Sequence, residues 1–287
     1  QREMRFPPDL QTAAARLKYW EAWDAEVTRA EDKVARTSKR VLRELVLSIR
    51  LRLREAAEGP WQDTPAPKGK AVRKMVATEA EIQRLLDLNL AAWGEEMFGA
   101  LSPNIIEVML DSAAQANAEA AGGATILTST DPVVALYMAE KKVVLTNITT
   151  NLIDEVQRAI VRVLAGDSGQ YSSLREAIWA TLADSEDYLG KTLKGLGTRA
   201  SLIARTETAG AANYGRQQQM VADGINTNIW LAQPTARPHH AELNGKEVNI
   251  GEVFGYGLKF PGDPNAKVGE IANCRCVLLP GTQRDYS

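Results

Sequence analysis

The side chains best suited to chemistry gather near the end of the chain. Cys274 and Cys276 are its only cysteines and stand two apart. A disulfide between such near neighbours would strain the small ring, so the pair reads as free thiols in a reducing compartment. On a strand the two would share one face, with Arg275 pointing away. Two thiolates on one face are half of a tetrahedral zinc site. The only histidines, His239 and His240, are adjacent, so on a strand only one of the two would supply a third ligand. A fourth would have to be Asp263, Glu270 or water. The other reading is two small buried thiols with a hydrogen-bonded histidine beside them. Structural zinc sites usually draw four ligands from the protein. The expectation is therefore no resident cofactor, with zinc on His240, Cys274 and Cys276 as the alternative.

The same scarcity bears on catalysis. A histidine–metal nuclease needs a distant second histidine or an acidic cluster at the metal. A cysteine nucleophile would have only His240 as its base. No Gly-x-x-x-x-Gly-Lys phosphate loop occurs in the chain. A non-enzymatic protein is expected, and a metal-dependent hydrolase or nuclease is the rival reading.

The elements that must position these residues are mostly helical. Ala30 to Glu58 carries Val34, Val41, Leu42, Leu45, Ile49 and Leu53 at helical spacing. Its eight basic residues, among them Lys39, Arg40, Arg43, Arg50 and Arg54, face five acidic ones. That pattern fits a salt-bridged solvent face or a surface for nucleic acid. Residues 59–70 read as a loop, and Thr78 with Glu81 forms a capping box opening a helix to Met97. A separate helix is expected over Pro103 to Ala121, then a linker to Thr130. Asp131-Pro132 starts a long helix ending at Gly166. Its face of Leu145, Ile148, Leu152, Val156, Ile160 and Val163 requires another long helix as partner. Ser173 with Glu176 opens a short helix to about Ala183, and Thr198 to Ala222 forms the last one. After Gly224 the texture turns β-rich. Asn228 to Ala232 reads as a strand, Asn244-Gly245 as a type I′ hairpin turn, and Cys274 to Leu279 as a final strand closed by Pro280.

The fold class expected is α+β, a helical body with a small C-terminal β module. No stretch approaches the length and apolarity of a membrane helix. Gln1 to Leu10 is polar and bears prolines, unlike a signal peptide. The net charge of −2 does not draw the molecule as a whole to nucleic acid.

One ordered series spans the last third. Ile203-Ala204-Arg205-Thr206-Glu207-Thr208 is followed by Asn213 and Trp230. Then come Arg237-Pro238-His239-His240-Ala241-Glu242-Leu243-Asn244-Gly245, Pro261-Gly262-Asp263-Pro264, and Asn273-Cys274-Arg275-Cys276. The series resembles the phage Mu F-like, or head morphogenesis, family, closely over residues 198–280. Two departures stand out: Ala236–His240 replaces a Cys-x-x-Cys, and Ile271-Ala272 replaces a His-Pro. Both remove potential metal ligands.

The resemblance implies a minor capsid protein of a tailed bacteriophage, located in the virion at the capsid interior or portal vertex. It would pass through the host cytoplasm during assembly and act in head assembly or genome packaging and ejection. Implied partners are the portal protein, the major capsid or scaffolding protein, and packaged DNA. Implied motif residues are Arg205, Glu207, Asn213, Trp230, His240, Asn244, Gly245, Pro261, Gly262, Asp263, Asn273, Cys274, Arg275 and Cys276. Arg205 and Glu207, which do not face each other on a helix, are expected to clasp helix to β module together with Asn213. The resemblance does not reach residues 1–125, which are separately expected to be an anchoring arm, removable through residue 70 without unfolding the rest. Residues 126–287 would be the head morphogenesis domain, with helices over 131–224 and the β module over 225–280.

Overall fold

The computed structural model describes residues 7–58, 90–120, 126–166 and 188–281. Four long helices dominate: α1 (Ala13–Glu58), α2 (Leu90–Glu119), α3 (Pro132–Gly166) and α4 (Tyr188–Ala222). They are followed by β1 (Thr227–Leu231), α5 (Pro238–Glu242), β2 (Glu247–Asn249), α6 (Val268–Ile271) and β3 (Val277–Pro280). The three strands form one antiparallel sheet of order β2-β1-β3, so β1 is central. Its registers place Asn228 opposite Val248, and Trp230 opposite Leu278. All five residues of β1 are buried, which explains why it lacks the alternation of a half-exposed strand. The protein is α+β. No helix among the described residues is long and apolar enough to cross a membrane.

The chain divides into two compact units. The first comprises Gln1–Ser38, Gly99–Val144 and Arg199–Ser287, and the second Lys39–Phe98 and Leu145–Thr198. Each long helix contributes a segment to each. This is a different partition from two consecutive domains at 1–125 and 126–287. The first half of α1 buries Trp23, Val27 and Val34 in the first unit. It also holds the β module directly, since Trp20 Nε1 donates to the Arg275 carbonyl at 2.8 Å. Residues 13–38 are therefore part of the core, and removing 1–70 would take that core away rather than release an arm.

The second unit has its own apolar centre, including Val41, Leu42, Leu45, Val46, Ile49, Met97 and Leu145. The expected face on α3 holds at Leu145, but Thr149 is the next buried position and Ile148 is half-buried. Thr149 is satisfied by donating to the Leu145 carbonyl at 2.9 Å. Among the described residues of this unit α3 meets α2. A Cβ on Gly94 would come within 2.9 Å of the Thr146 side chain, so the glycine leaves room for that side chain between the helices.

Several local expectations change. Helix α1 starts at Ala13 and α4 at Tyr188, each a long way before the expected starts. One helix, Leu90–Glu119, replaces the two expected around Met97 and Pro103. Pro103 sits inside it, and the carbonyl its ring crowds belongs to Gly99. The capping boxes at Thr78 and Ser173, the loop 59–70 and part of the linker lie outside the described residues. Asp131 precedes α3, and its carboxylate takes the Thr128 N–H at 2.6 Å and hydroxyl at 2.9 Å.

Asn244-Gly245 is not a type I′ hairpin. Helix α5 stands between β1 and β2, and Asn244 is not at positive φ while Gly245 is, at 75°. Lys246 N–H reaches the Leu243 carbonyl at 2.9 Å, a turn with glycine third, where positive φ is needed. The Asn244 side chain instead accepts the Ala232 N–H at 3.0 Å and closes the connection after β1.

Candidate metal centre and its polar frame

Helix α4 is the platform of the site. The Pro261-Gly262-Asp263-Pro264 turn lies on it backbone to backbone: a Cβ on Gly210 would stand 2.8 Å from the Gly262 carbonyl oxygen. Gly262 has φ 82° in the third position of a turn closed from Asp263 N–H to the Phe260 carbonyl. Asp263 is buried and consumes its carboxylate on the Lys259 and Asn265 N–H groups, at 3.1 and 2.9 Å. It is a turn-former, not a metal ligand.

Asn213, one turn beyond Ala209 on the same helix, is fully buried and locks the start of β3. Its amide donates to the carbonyls of Ala209 (2.9 Å) and Cys276 (3.0 Å) and accepts the Leu278 N–H at 2.8 Å. Arg205 donates to Asn273 Oδ1 at 2.8 Å, and the Asn273 N–H reaches Thr206 Oγ1 at 3.1 Å. The two residues therefore join α4 to the module, with Arg205 half-exposed. Glu207 does something else. It is buried and pairs with Lys141 of α3 at 2.9 Å, with side chains 1% and 0% exposed.

Asn273 is held at φ 59°, a left-handed conformation asparagine tolerates better than most residues. That kink, with Cys274 N–H turned back to the Ile271 carbonyl at 3.1 Å, delays the strand. It starts at Val277, not Cys274. Strand alternation therefore does not apply to Cys-Arg-Cys, and Arg275 does not point to solvent. It is 7% exposed, pairing with Asp24 at 2.9 Å and Glu31 at 2.7 Å on α1.

The two thiols nevertheless converge. Cys274 Sγ lies 3.4 Å and Cys276 Sγ 3.6 Å from His240 Nδ1, and all three groups are buried. Pro238 opens α5 and sets His240 on its inner side. Trp230 meets the imidazole edge-on at 5.3 Å and Phe254 backs the indole. Arg237 ties α5 to the α6 segment through the Gly269 and Ala272 carbonyls. Glu270 of α6 stands 3.4 Å from His240 Nε2. His239 is on the outside, stacked on Tyr256 at 4.5 Å. The hydrogen bond from Cys276, with that of His240 behind it, pulls the Cys274 thiol down to about 5 against the opposing effect of burial. Burial pushes Cys276 up.

Several buried charges had escaped the sequence reading. Arg216 is fully buried, its guanidinium on Glu119, the Tyr19 hydroxyl and, at 3.0 Å, the Leu278 carbonyl. No local pattern connects positions so distant in sequence. Lys141 did leave a trace: it interrupts the stripe Val134, Tyr137, Leu145, all buried. Glu31, acidic on a basic helix, left none.

Glu31 carries a pH prediction. Burial raises its carboxyl to about 7, against the pull of Arg275 and Arg205. A carboxyl that binds its proton more tightly when folded stabilises most below its unfolded value, and that contribution is lost as pH rises through the folded one. Wild type should therefore lose stability relative to Glu31→Gln as pH climbs from 4.5 to about 7. Parallel thermal-melt curves for the two proteins across that window would refute this.

Of the basic positions on α1, Lys39, Arg40, Arg43 and Arg54 are exposed and Arg50 is half-buried. Arg40 pairs with Glu44 at 3.2 Å.

A helical frame clamping a three-stranded module with a buried Cys-Cys-His cluster defines the class. Within it, residues 154–279 match the family model described as Phage Mu protein F like protein. Over that stretch, somewhat less than half of its length, the chain is similar to the phage Mu protein F-like family. Neither a curated protein nor a solved structure matches the chain.

Proposed function

We propose that this protein is a non-catalytic minor capsid protein that acts in head morphogenesis at the portal vertex of a tailed bacteriophage. The observation that carries the reading is the family match over residues 154–279. The geometry supports it. Arg205 donates to the Asn273 side chain, Asn213 and Asp263 spend their polar groups on backbone of the module, and Arg275 pairs with α1, as parts of a rigid frame do. The partners are the portal protein, a major capsid or scaffolding protein, and packaged DNA at the exposed bases of α1.

The test is mass-spectrometric counting and cross-linking of assembled heads. Low copy number, with cross-links to portal, is expected. Copy number near that of the shell subunit, or absence from heads, would sink the proposal.

A further inference from the structure

We infer that His240, Cys274 and Cys276 form a zinc site, whatever the role of the protein in the head. The spacing is the first reason. Zinc–sulfur bonds of about 2.3 Å and zinc–nitrogen bonds of about 2.0–2.1 Å at a tetrahedral angle separate sulfur from nitrogen by about 3.5 Å. The two S···N separations are 3.4 and 3.6 Å, and all three ligand atoms lie within 4.8 Å of one another.

The support of the ligands is the second. A ligating histidine is usually oriented by a carboxylate on its other nitrogen, and the Glu270 carboxylate stands on that side, 3.4 Å from Nε2, though not in hydrogen-bond geometry. Glu270 and His240 stand on different segments, α6 and α5, and Arg237 ties the two together. Cys274 and Cys276 reach the same point only because Asn273 is left-handed and Asn213 holds the Cys276 carbonyl.

Charge decides the metal. The ligand residues are 1–2% exposed, and a net charge there is costly. Two thiolates and a neutral imidazole balance a divalent ion, whereas Cu(I), equally thiophilic, would leave one negative charge. Among the described residues no fourth side chain joins the set. That is the pattern of a zinc with one coordination position left to an oxygen donor, and it differs from the closed four-ligand sites whose requirement argued against zinc in the sequence.

The full chain, purified from zinc-supplemented cells without chelator, should contain one zinc per chain by elemental analysis. X-ray absorption should show two sulfur scatterers in the first shell. Cys276→Ser should lose the metal, while His239→Gln, one residue from the ligand, should keep it. Metal-free protein, copper in place of zinc, or a shell without sulfur would each overturn the assignment. The absorption measurement is made on the wild type, so it decides the matter even if Cys276→Ser fails to fold.

Discussion

Gly215→Ala should cost the first unit about 3 kcal/mol or more, at or beyond the upper end of ordinary overpacking. A Cβ at that position would lie 2.1 Å from the Met109 carbonyl oxygen and 2.9 Å from its carbon. The obstacle is the backbone of α2, which cannot rotate away as a side chain can. Gly215 lies on α4 five residues after Gly210, whose own close neighbour is the Gly262 turn. The helix is thus held between two backbones, and relief on one side loads the other. Against a typical total of about 5–15 kcal/mol the loss is large. Gly195→Ala on the same helix is the control, since nothing lies within 4 Å of its Cβ. It should gain up to about 1 kcal/mol from helix propensity. Urea melts giving both variants the wild-type midpoint would show that α2 and α4 do not approach at Gly215.

Glu207→Ala should be destabilising by about 3–5 kcal/mol, because it strands the Lys141 ammonium in the core. The ammonium sits 5.3 Å from the Tyr137 ring centroid, a face that attracts it but does not replace a carboxylate. Lys141→Met alone should cost a similar amount by leaving Glu207 unpaired. The double variant Lys141→Met/Glu207→Leu should recover most of either loss, since an apolar pair of similar volume often equals a buried ion pair. A positive coupling energy in the cycle is the expected result. Additive losses would mean that the two charges do not depend on each other. The pair joins α3 to α4, so its purpose in this fold is to fix which faces of the two helices meet. The Tyr137–Tyr214 stack at 4.4 Å lies on the same pair of helices.

Much of this architecture was legible in the chain. Apolar spacing located the long helices because burial on one face has a 3.6-residue period that survives in any tertiary context. Asp131-Pro132 and Gly224 marked ends because proline and glycine act through local backbone geometry; Gly224 has φ 73°. Strand β1 lay within one residue of its expected span, and the ordered Arg-Thr-Glu to Asn-Cys-Arg-Cys series carried the family resemblance. Wherever a conclusion depended on how a local conformation would be bent by distant atoms, sequence was insufficient. Asn244-Gly245 is a strong hairpin signal, yet the fold inserts α5 between the strands and keeps only Gly245 at positive φ.

What the sequence determined by itself was the helical periodicity, the α+β class and the identity of the thiols and imidazoles. Each of these rests on neighbours a few residues apart. Tertiary structure alone decided that α1 belongs to the core of the first unit, that Arg275 is buried on Asp24 and Glu31, and that Glu207 pairs with Lys141. These partners lie on different helices, at separations where no sequence period operates. The Cys-Cys-His cluster belongs to both. Its residue types were visible from the start, but their convergence required a left-handed Asn273 to break the strand and α5 to carry His240 inward, bringing together groups 34 and 36 residues apart.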